Sequence, residues 1–158
     1  MGYTTIFDGY FTLNKPLSNN IANKLKVLST TRRMQRNVDI LASTLGKSVE
    51  QIISLYGLEG EFYDKDDMIG VVNCNKHPSS QPGLWCNWEY ATEPVPCIRW
   101  DTSEKFYNYI QWLAYIIDKL LSPNGYILNG RVSWSGEERF DNGYIIVIDN
   151  IITLGTFH

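Results

Sequence analysis

A long apolar stripe between Phe106 and Leu121 constrains the fold of this chain more than any other stretch of its sequence. Apolar and aromatic side chains recur there at intervals of mostly three and four residues: Phe106, Tyr109, Ile110, Leu113, Ile116, Ile117, Leu120 and Leu121. This spacing predicts an amphipathic helix that must pack against another layer of the protein. Asp101 and Glu104 form a capping pair ahead of the stripe, and Pro123-Asn124-Gly125 predicts its end.

Alternating apolar and polar residues predict a sheet beneath this helix. The candidate strands are Tyr3 to Leu13, Leu84 to Ala91, Cys97 to Trp100, Tyr126 to Trp134 and Tyr144 to Asp149, while Ile151 to Leu154 either extends the sheet or folds against it. Asn142-Gly143 is a turn signal between the last two strong strands. Ser18 caps a first helix with Ile21, Leu25 and Leu28 on one face. This order predicts an α+β fold, a split-βαβ (ferredoxin-like) sandwich of βαββαβ order with an extra hairpin strand and both helices on one sheet face.

The length of 158 residues fits a single domain, 1–158, with an irregular and partly helical insertion at about 38–80. Short helices are predicted at Val38 to Leu45 and at Val49 to Tyr56, each followed by a glycine. From Glu59 to Pro82 the chain is rich in Asp, Asn, Gly, Lys and Ser, which is typical of irregular structure.

The composition argues against several classes of partner. The formal charge is −3, with 44% hydrophobic and 20% charged residues, so nothing global favours long nucleic acids or a membrane surface. No apolar run reaches the length of a membrane span, and three irregularly spaced cysteines suit reduced thiols, so we expect a cytoplasmic protein. Self-association into a homo-oligomer is left open by the sequence.

Three arginines, Arg32, Arg33 and Arg36, lie within five residues at the end of the first predicted helix. Guanidinium groups grip phosphate or carboxylate in a bidentate manner, so the cluster is a candidate anion site. The alternative is structural, because cations near the carboxyl end of a helix also satisfy its dipole and its free carbonyls.

Aromatic residues form a second candidate binding element. Trp85 and Trp88 are three positions apart, so in an extended segment one ring points to the core and the other outward. Tyr107 and Trp112 flank the apolar stripe of the long helix, where they either form a wall for a stacking ligand or pack under a neighbouring loop.

Metal and acid–base chemistry have weaker support. Glu137, Glu138 and Asp141 cluster between two strands and could hold Mg²⁺ or transfer protons, although a charged hairpin tip is usually only solvated. Cys74 and His77, with two further cysteines, are zinc ligand types at poor spacing. No glycine-rich phosphate loop and no convincing pair of nucleophile and base occur, so we expect no metal, no cofactor and no catalytic residue.

Several longer motifs carry a family resemblance. They include Thr31-Arg-Arg-Met-x-Arg36, Gln81-Pro-Gly-Leu-Trp-Cys-x-Trp88, Gly125-Tyr-x-Leu-Asn-Gly-x-Val-x-Trp134 and Asp141-x-Gly-x-Ile-x-Val-x-Asp-Asn150. With these motifs the chain, outside positions 38 to 80, resembles a family of small uncharacterised proteins found in bacteriophages and scattered bacteria. The resemblance implies that the arginines, the tryptophan turn and the acidic tip meet at one site. Phage occurrence implies a role in host physiology or defence, such as capturing a nucleotide signal or blocking a host protein.

Three functional hypotheses follow from these features. The first is a non-enzymatic protein that captures a small anionic, nucleotide-like ligand, as a phage-encoded counter-defence sponge for immune evasion would do. The expected ligand-binding residues are Arg32, Arg33, Arg36, Trp85, Trp88, Tyr107, Trp112, Glu137 and Asp141. The second is an inhibitor or adaptor that binds a host protein through the same aromatic residues. The third is a Mg²⁺-dependent hydrolase or transferase that uses the acidic tip.

Overall fold

The computed structural model of the chain describes residues 2–156, which form an α+β fold with a six-stranded antiparallel sheet and four α-helices. Met1, Phe157 and His158, which the predicted domain 1–158 includes, lie outside the described residues. The main sheet contains β1 (Ile6–Leu13), β4 (Trp88–Ala91), β5 (Cys97–Trp100), β6 (Leu128–Ser135), β7 (Asn142–Ile148) and β8 (Ile151–Gly155). Its strand order is β4-β5-β1-β6-β7-β8.

The other elements are α1 (Asn19–Thr30), β2 (Gln35–Arg36), α2 (Val38–Leu45), α3 (Val49–Tyr56), β3 (Val71–Asn73) and α4 (Tyr109–Ile116). After α4 the chain continues as a π-helical turn, Ile117–Leu121, and a 3-10 turn, Ser122–Asn124, before Gly125 ends the helical run with a φ of 77°. The predicted end of the long helix is therefore confirmed. Within residues 2–156, no helix combines the length and the apolar character that a membrane span requires.

One apolar core joins the sheet to α1 and α4. The alternation of β1 turns Phe7, Phe11 and Leu13 to the same face, where they share a core with Leu25 and Leu113 from the two helices. Phe11 lies opposite Ile98 on β5 and Gly130 on β6. A Cβ on Gly130 would lie 2.9 Å from the Tyr10 carbonyl oxygen, so glycine is required for this close approach of β1 and β6.

Most predicted elements are confirmed, but one predicted turn and the predicted start of the long helix are wrong. Ile151–Gly155 extends the sheet as β8, which adds a second strand beyond the predicted hairpin strand. The turn predicted at Asn142-Gly143 is wrong, because both residues already pair with β6 as the start of β7. The connection is instead made by residues 136–141, closed by a hydrogen bond of 2.7 Å from Gly136 N to the Asp141 carbonyl.

The predicted start of the long helix is also wrong. The chain from Asp101 to Asn108 is not helical, and three of its non-glycine residues have positive φ: Thr102 at 70°, Lys105 at 61° and Asn108 at 58°. Asp101 accepts from the N–H of Ser103, two residues later, instead of capping a helix. Phe106 is buried in the core, so the segment is held by packing in a conformation that breaks the helical path.

Residues 37–73, which the chain inserts after α1 and before β4, form an inserted layer with a small core of its own. Helices α2 and α3 have the predicted bounds, and Ser48 with Gln51 forms the predicted capping box at the start of α3. These helices pack around a small second core of Leu41, Ala42, Ile52 and Tyr63. The strands β2 and β3 pair with each other and tie this layer to the end of α1.

Candidate functional site

A cavity of about 640 Å³ opens between the loop that precedes β4, the nonhelical segment that precedes α4, and the end of α1. This volume lies in the range of ligand pockets in proteins. Its polar lining includes the side chains of three asparagines, a histidine, a lysine and a glutamate: Asn75, Asn87, Asn108, His77, Lys105 and Glu104. The aromatic lining is provided by Trp85 and Tyr107.

Trp85 provides the largest ring surface of the cavity and is 45% exposed. The Arg32 guanidinium lies over this ring, with 6.0 Å between its central carbon and the ring centroid. Arg32 is fixed by donating to the Cys74 carbonyl at 2.9 Å and to the Asn75 side-chain oxygen at 3.0 Å. The structure therefore brings together Arg32 and Trp85, two residues that the sequence had suggested. It also anchors Asn75, which lines the cavity, to Arg32.

The wall formed by residues 103–108 contains Lys105 and Asn108, two of the positive-φ residues. Backbone strain of this kind persists where the surroundings fix the chain, and it concentrates at functional sites. Asn108 ties this wall to the opposite one by donating to the Pro82 carbonyl at 2.9 Å. Tyr107 is half exposed at the rim, and its hydroxyl accepts from the N–H of Tyr3 at 3.0 Å. These hydrogen bonds fix the positions of the two walls relative to each other.

Asn87 is the most deeply buried polar residue of the lining, with 6% of its surface exposed. Its backbone carbonyl accepts from Asp101 N at 2.9 Å, whereas its side-chain amide makes no hydrogen bond to any residue among 2–156. Neither amide atom is among the buried side-chain atoms sealed from solvent, and Asn87 is a lining residue of the cavity. A buried amide without a protein partner is a group that a ligand or a water molecule can satisfy.

Gly83 and Trp112 lie beside the cavity floor. Trp112 is completely buried, and its indole N–H has no hydrogen-bond acceptor among the described residues. A Cβ on Gly83 would lie 3.6 Å from the Trp112 indole nitrogen and 3.3 Å from the Asn108 side-chain nitrogen. The absence of a side chain at Gly83 therefore leaves room beside two N–H donors.

Arg33 and Arg36 do not reach this cavity, which corrects the expected convergence of three guanidinium groups with a tryptophan. Arg33 is 1% exposed, and its guanidinium donates to the carbonyls of Gly60, Glu61 and Tyr63, all in the inserted layer. Burial, followed by the charge of Arg36, lowers the pKa of Arg33 to about 10. The physical reason is that the loop 59–69 surrounds both side chains.

Arg36 is bound in the same way. It pairs with Asp67 at 3.0 Å, donates to the carbonyls of Lys65 and Ile69, and lies 4.1 Å from the centroid of the Tyr63 ring. With an exposed fraction of 3%, its guanidinium is satisfied by the protein itself. The two guanidinium groups therefore attach the insertion to the end of α1.

Trp88 and the acidic tip also lie away from the cavity lining. Trp88 is buried in the core and donates to the Tyr109 carbonyl at 2.8 Å, while Trp85 points outward as the spacing predicted. Glu137 accepts from Thr4 N, and Asp141 accepts from the hydroxyl of Tyr3 and the indole of Trp134. Both carboxylates hold the N-terminal segment, and Tyr3 links them to Tyr107 at the cavity rim. Of the three elements that the resemblance grouped at one site, the arginine cluster and the tryptophan turn meet through Arg32 and Trp85, whereas the acidic tip does not line the cavity.

The sequence reasoning missed most of the polar lining. The sequence suggested His77 only as a zinc ligand or a catalytic base, and it gave no reason to select the lining asparagines or Lys105. The available signal was the unusual polarity around Trp85, where Asn87 stands between two residues that are completely buried, Cys86 and Trp88. Among residues 2–156, no three His, Cys, Asp or Glu side chains lie together in a way that could hold a metal ion.

Comparison of the chain with protein-family models, with curated proteins and with solved structures finds no match in any of the three.

Proposed function

We propose that the protein binds a small nucleotide-like ligand in the cavity beside Trp85 and releases it unchanged. The observation that carries this proposal is the exposed indole of Trp85 in a cavity of about 640 Å³ that asparagine, histidine and lysine residues also line. An aromatic ring of this kind stacks on planar heterocycles, and base–aromatic stacking contributes about 1–3 kcal/mol.

The charges around the cavity suit an anionic group at its rim. Lys105 lines the cavity, and Arg32 lies beside it over the Trp85 ring, whereas Glu104 contributes one opposing charge. The remaining polar groups are neutral amides, hydroxyls and an imidazole, which favour a ligand with many hydrogen-bonding atoms over a simple inorganic anion. A nucleotide combines a flat base, a polar sugar and an anionic phosphate.

The contacts of the acidic tip favour a binding role over catalysis by that tip. The carboxylates of Glu137 and Asp141 are occupied by donors from the N-terminal segment, and neither lines the cavity. By the resemblance to phage proteins, capture without turnover would suit a sponge that lowers the concentration of a nucleotide signal in a host cytoplasm.

Thermal unfolding with a nucleotide panel tests the proposal. A ligand at 100 times its dissociation constant stabilises a protein by about 2.7 kcal/mol, which raises the melting temperature by about 5–11 °C for a chain of this size. We expect at least one mononucleotide, cyclic nucleotide or ADP-ribose compound to give such a shift with the wild-type protein.

The matched pair of variants is Trp85→Ala and Tyr10→Ala. Tyr10 is 40% exposed, close to the 45% of Trp85, and it belongs to β1, outside the cavity lining. We expect the shift to disappear in Trp85→Ala and to persist in Tyr10→Ala. A panel without any shift, or a shift that Trp85→Ala leaves intact, would refute the cavity as the binding site.

A protein-binding role is the second candidate. Trp85 and Tyr107 are both about half exposed at the same cavity, and aromatic side chains are the usual anchors of protein interfaces. This role predicts that the wild-type chain recovers one stoichiometric protein partner, and that Trp85→Ala loses this partner while Tyr10→Ala keeps it. It also predicts that no nucleotide shifts the melting temperature.

We also propose that the chain is a variant of the split-βαβ, ferredoxin-like arrangement. The order β4-β5-β1-β6 and the placement of α1 between β1 and β4, and of α4 between β5 and β6, support this proposal. The strands β7 and β8 and the inserted layer are then additions to that arrangement.

A further inference from the structure

We propose that Trp85 and Asn87 form a base-reading pair for an adenine-type ring, with Trp85 stacking on the base and Asn87 pairing with its amino edge. This inference rests on the proposed nucleotide-binding function and specifies the chemistry of the same cavity. It assigns to Asn87 a specificity-determining contact with the ligand.

The placement of the two residues favours joint action. Trp85 and Asn87 are two positions apart in the segment that leads into β4, and both line the cavity. In an extended chain, side chains two positions apart lie on the same side. The intervening Cys86 and the following Trp88 are completely buried, in agreement with this alternation. A ring stacked on Trp85 therefore has the Asn87 amide close to its edge.

The hydrogen-bonding state of Asn87 points to a ligand. The residue is 6% exposed and lines the cavity, and its side-chain amide makes no hydrogen bond within residues 2–156. The neighbouring asparagines differ, since Asn75 accepts from Arg32 and Asn108 donates to the Pro82 carbonyl. Asn87 is thus the lining asparagine whose donor and acceptor are both available.

The chemistry of the amide selects the edge it can read. An asparagine side chain presents one acceptor and two donors, and it pairs in a bidentate manner with the amino group and an adjacent ring nitrogen of adenine. The adenine amino group has a ring nitrogen on either side, so the match holds for two orientations of the base. The guanine edge that carries two adjacent acceptors would leave the Asn87 oxygen facing an acceptor.

Isothermal titration of the full chain with two probes tests the pair. Adenosine 5′-monophosphate and purine riboside 5′-monophosphate differ only in the amino group at position 6 of the base. We expect the wild-type protein to bind the adenosine compound about tenfold or more tightly than the purine compound, as one good bidentate pair provides.

Variants at Asn87 identify the residue responsible. In Asn87→Leu, the affinity for the adenosine compound should fall about tenfold or more and become equal to the affinity for the purine compound. Asn87→Ala, which removes both the donor and the acceptor without adding a larger apolar side chain, should show the same loss if the leucine variant fails to fold. The control is Asn20→Leu on the exposed face of α1, which should retain wild-type affinities.

Three outcomes would overturn the inference. Equal affinities of the two probes for the wild-type protein, or an unchanged preference in both Asn87 variants, would remove Asn87 as the reading group while leaving nucleotide binding at Trp85 intact. Failure of both probes to bind would overturn the adenine assignment, and the melting panel with Trp85→Ala would still report separately on the proposed function.

Discussion

Replacing Arg33 by alanine should destabilise the protein strongly, because this side chain attaches the inserted layer to the rest of the fold. Arg33 is 1% exposed and donates to carbonyls at residues 60, 61 and 63. Among residues 2–156 no carboxylate forms an ion pair with it, and its N–H donors are accepted by backbone carbonyls and by the Thr31 hydroxyl.

The expected magnitude follows from what the truncation leaves unpaired. The Gly60 carbonyl keeps the Tyr63 N–H, and the Glu61 carbonyl keeps the Gln81 side chain. The Tyr63 carbonyl, by contrast, loses the only donors that it has among residues 2–156. A buried carbonyl without a partner costs about 1–3 kcal/mol. Truncation of a large buried side chain adds about 2–5 kcal/mol. Relief of the buried charge offsets part of this sum, so we expect a net loss of about 3 kcal/mol.

Urea unfolding at neutral pH measures this loss. Arg33→Met, which fills the space and removes the charge, should lose about 1–2 kcal/mol, since the carbonyl stays unpaired but no large cavity forms. The control is Arg99→Ala, because the Arg99 side chain is 46% exposed and pairs with Glu89 at the surface. Such a pair contributes at most about 1 kcal/mol. A free energy of unfolding that falls no further in Arg33→Ala than in Arg99→Ala would refute this reasoning.

Further predictions concern other groups. Burial raises the pKa of Asp67, but hydrogen bonds to its carboxylate outweigh that effect and lower the pKa, so urea stability should fall as acid titrates it below pH 3.8, and less so in Asp67→Asn. Burial raises the pKa of Cys86 to about 12, so a thiol reagent at pH 8 should label Cys74 rapidly and Cys86 only on unfolding, while stability falls above pH 9 as the unfolded Cys86 thiol ionises. Asn108→Ala should lose about 1–2 kcal/mol in urea unfolding, because a hydrogen bond disappears and alanine disfavours a φ of 58°.

Periodicity was sufficient to predict most regular elements of the fold, although not the short strands β2 and β3. The alternation of β1 and the spacing of Ile21, Leu25 and Leu28 on α1 follow directly from the geometry of a strand and a helix that each bury one face. The two short helices of the insertion were also predicted, because glycines follow them and Ser48 caps the second.

The segment 101–108 could not be predicted in this way. Asp101 and Glu104 form a local capping pattern, yet tertiary packing of Phe106 and positive φ angles override it. The roles of Arg33 and Arg36 could not be predicted either. An arginine that binds a ligand and an arginine that binds backbone carbonyls look the same in a sequence. Only the course of the loop 59–69 distinguishes them.

The most direct test of the account is a titration with adenosine 5′-monophosphate followed through the tryptophan indole N–H resonances in ¹H–¹⁵N spectra. The chain has five tryptophans, and each gives one such resonance. Trp85 lines the cavity, whereas Trp134 is held by Asp141 and Trp88 by the Tyr109 carbonyl. We predict that the Trp85 resonance moves in a saturable manner while those of Trp88 and Trp134 stay in place. A saturable shift of Trp134 with Trp85 unmoved, or no shift of any indole, would contradict the proposed site.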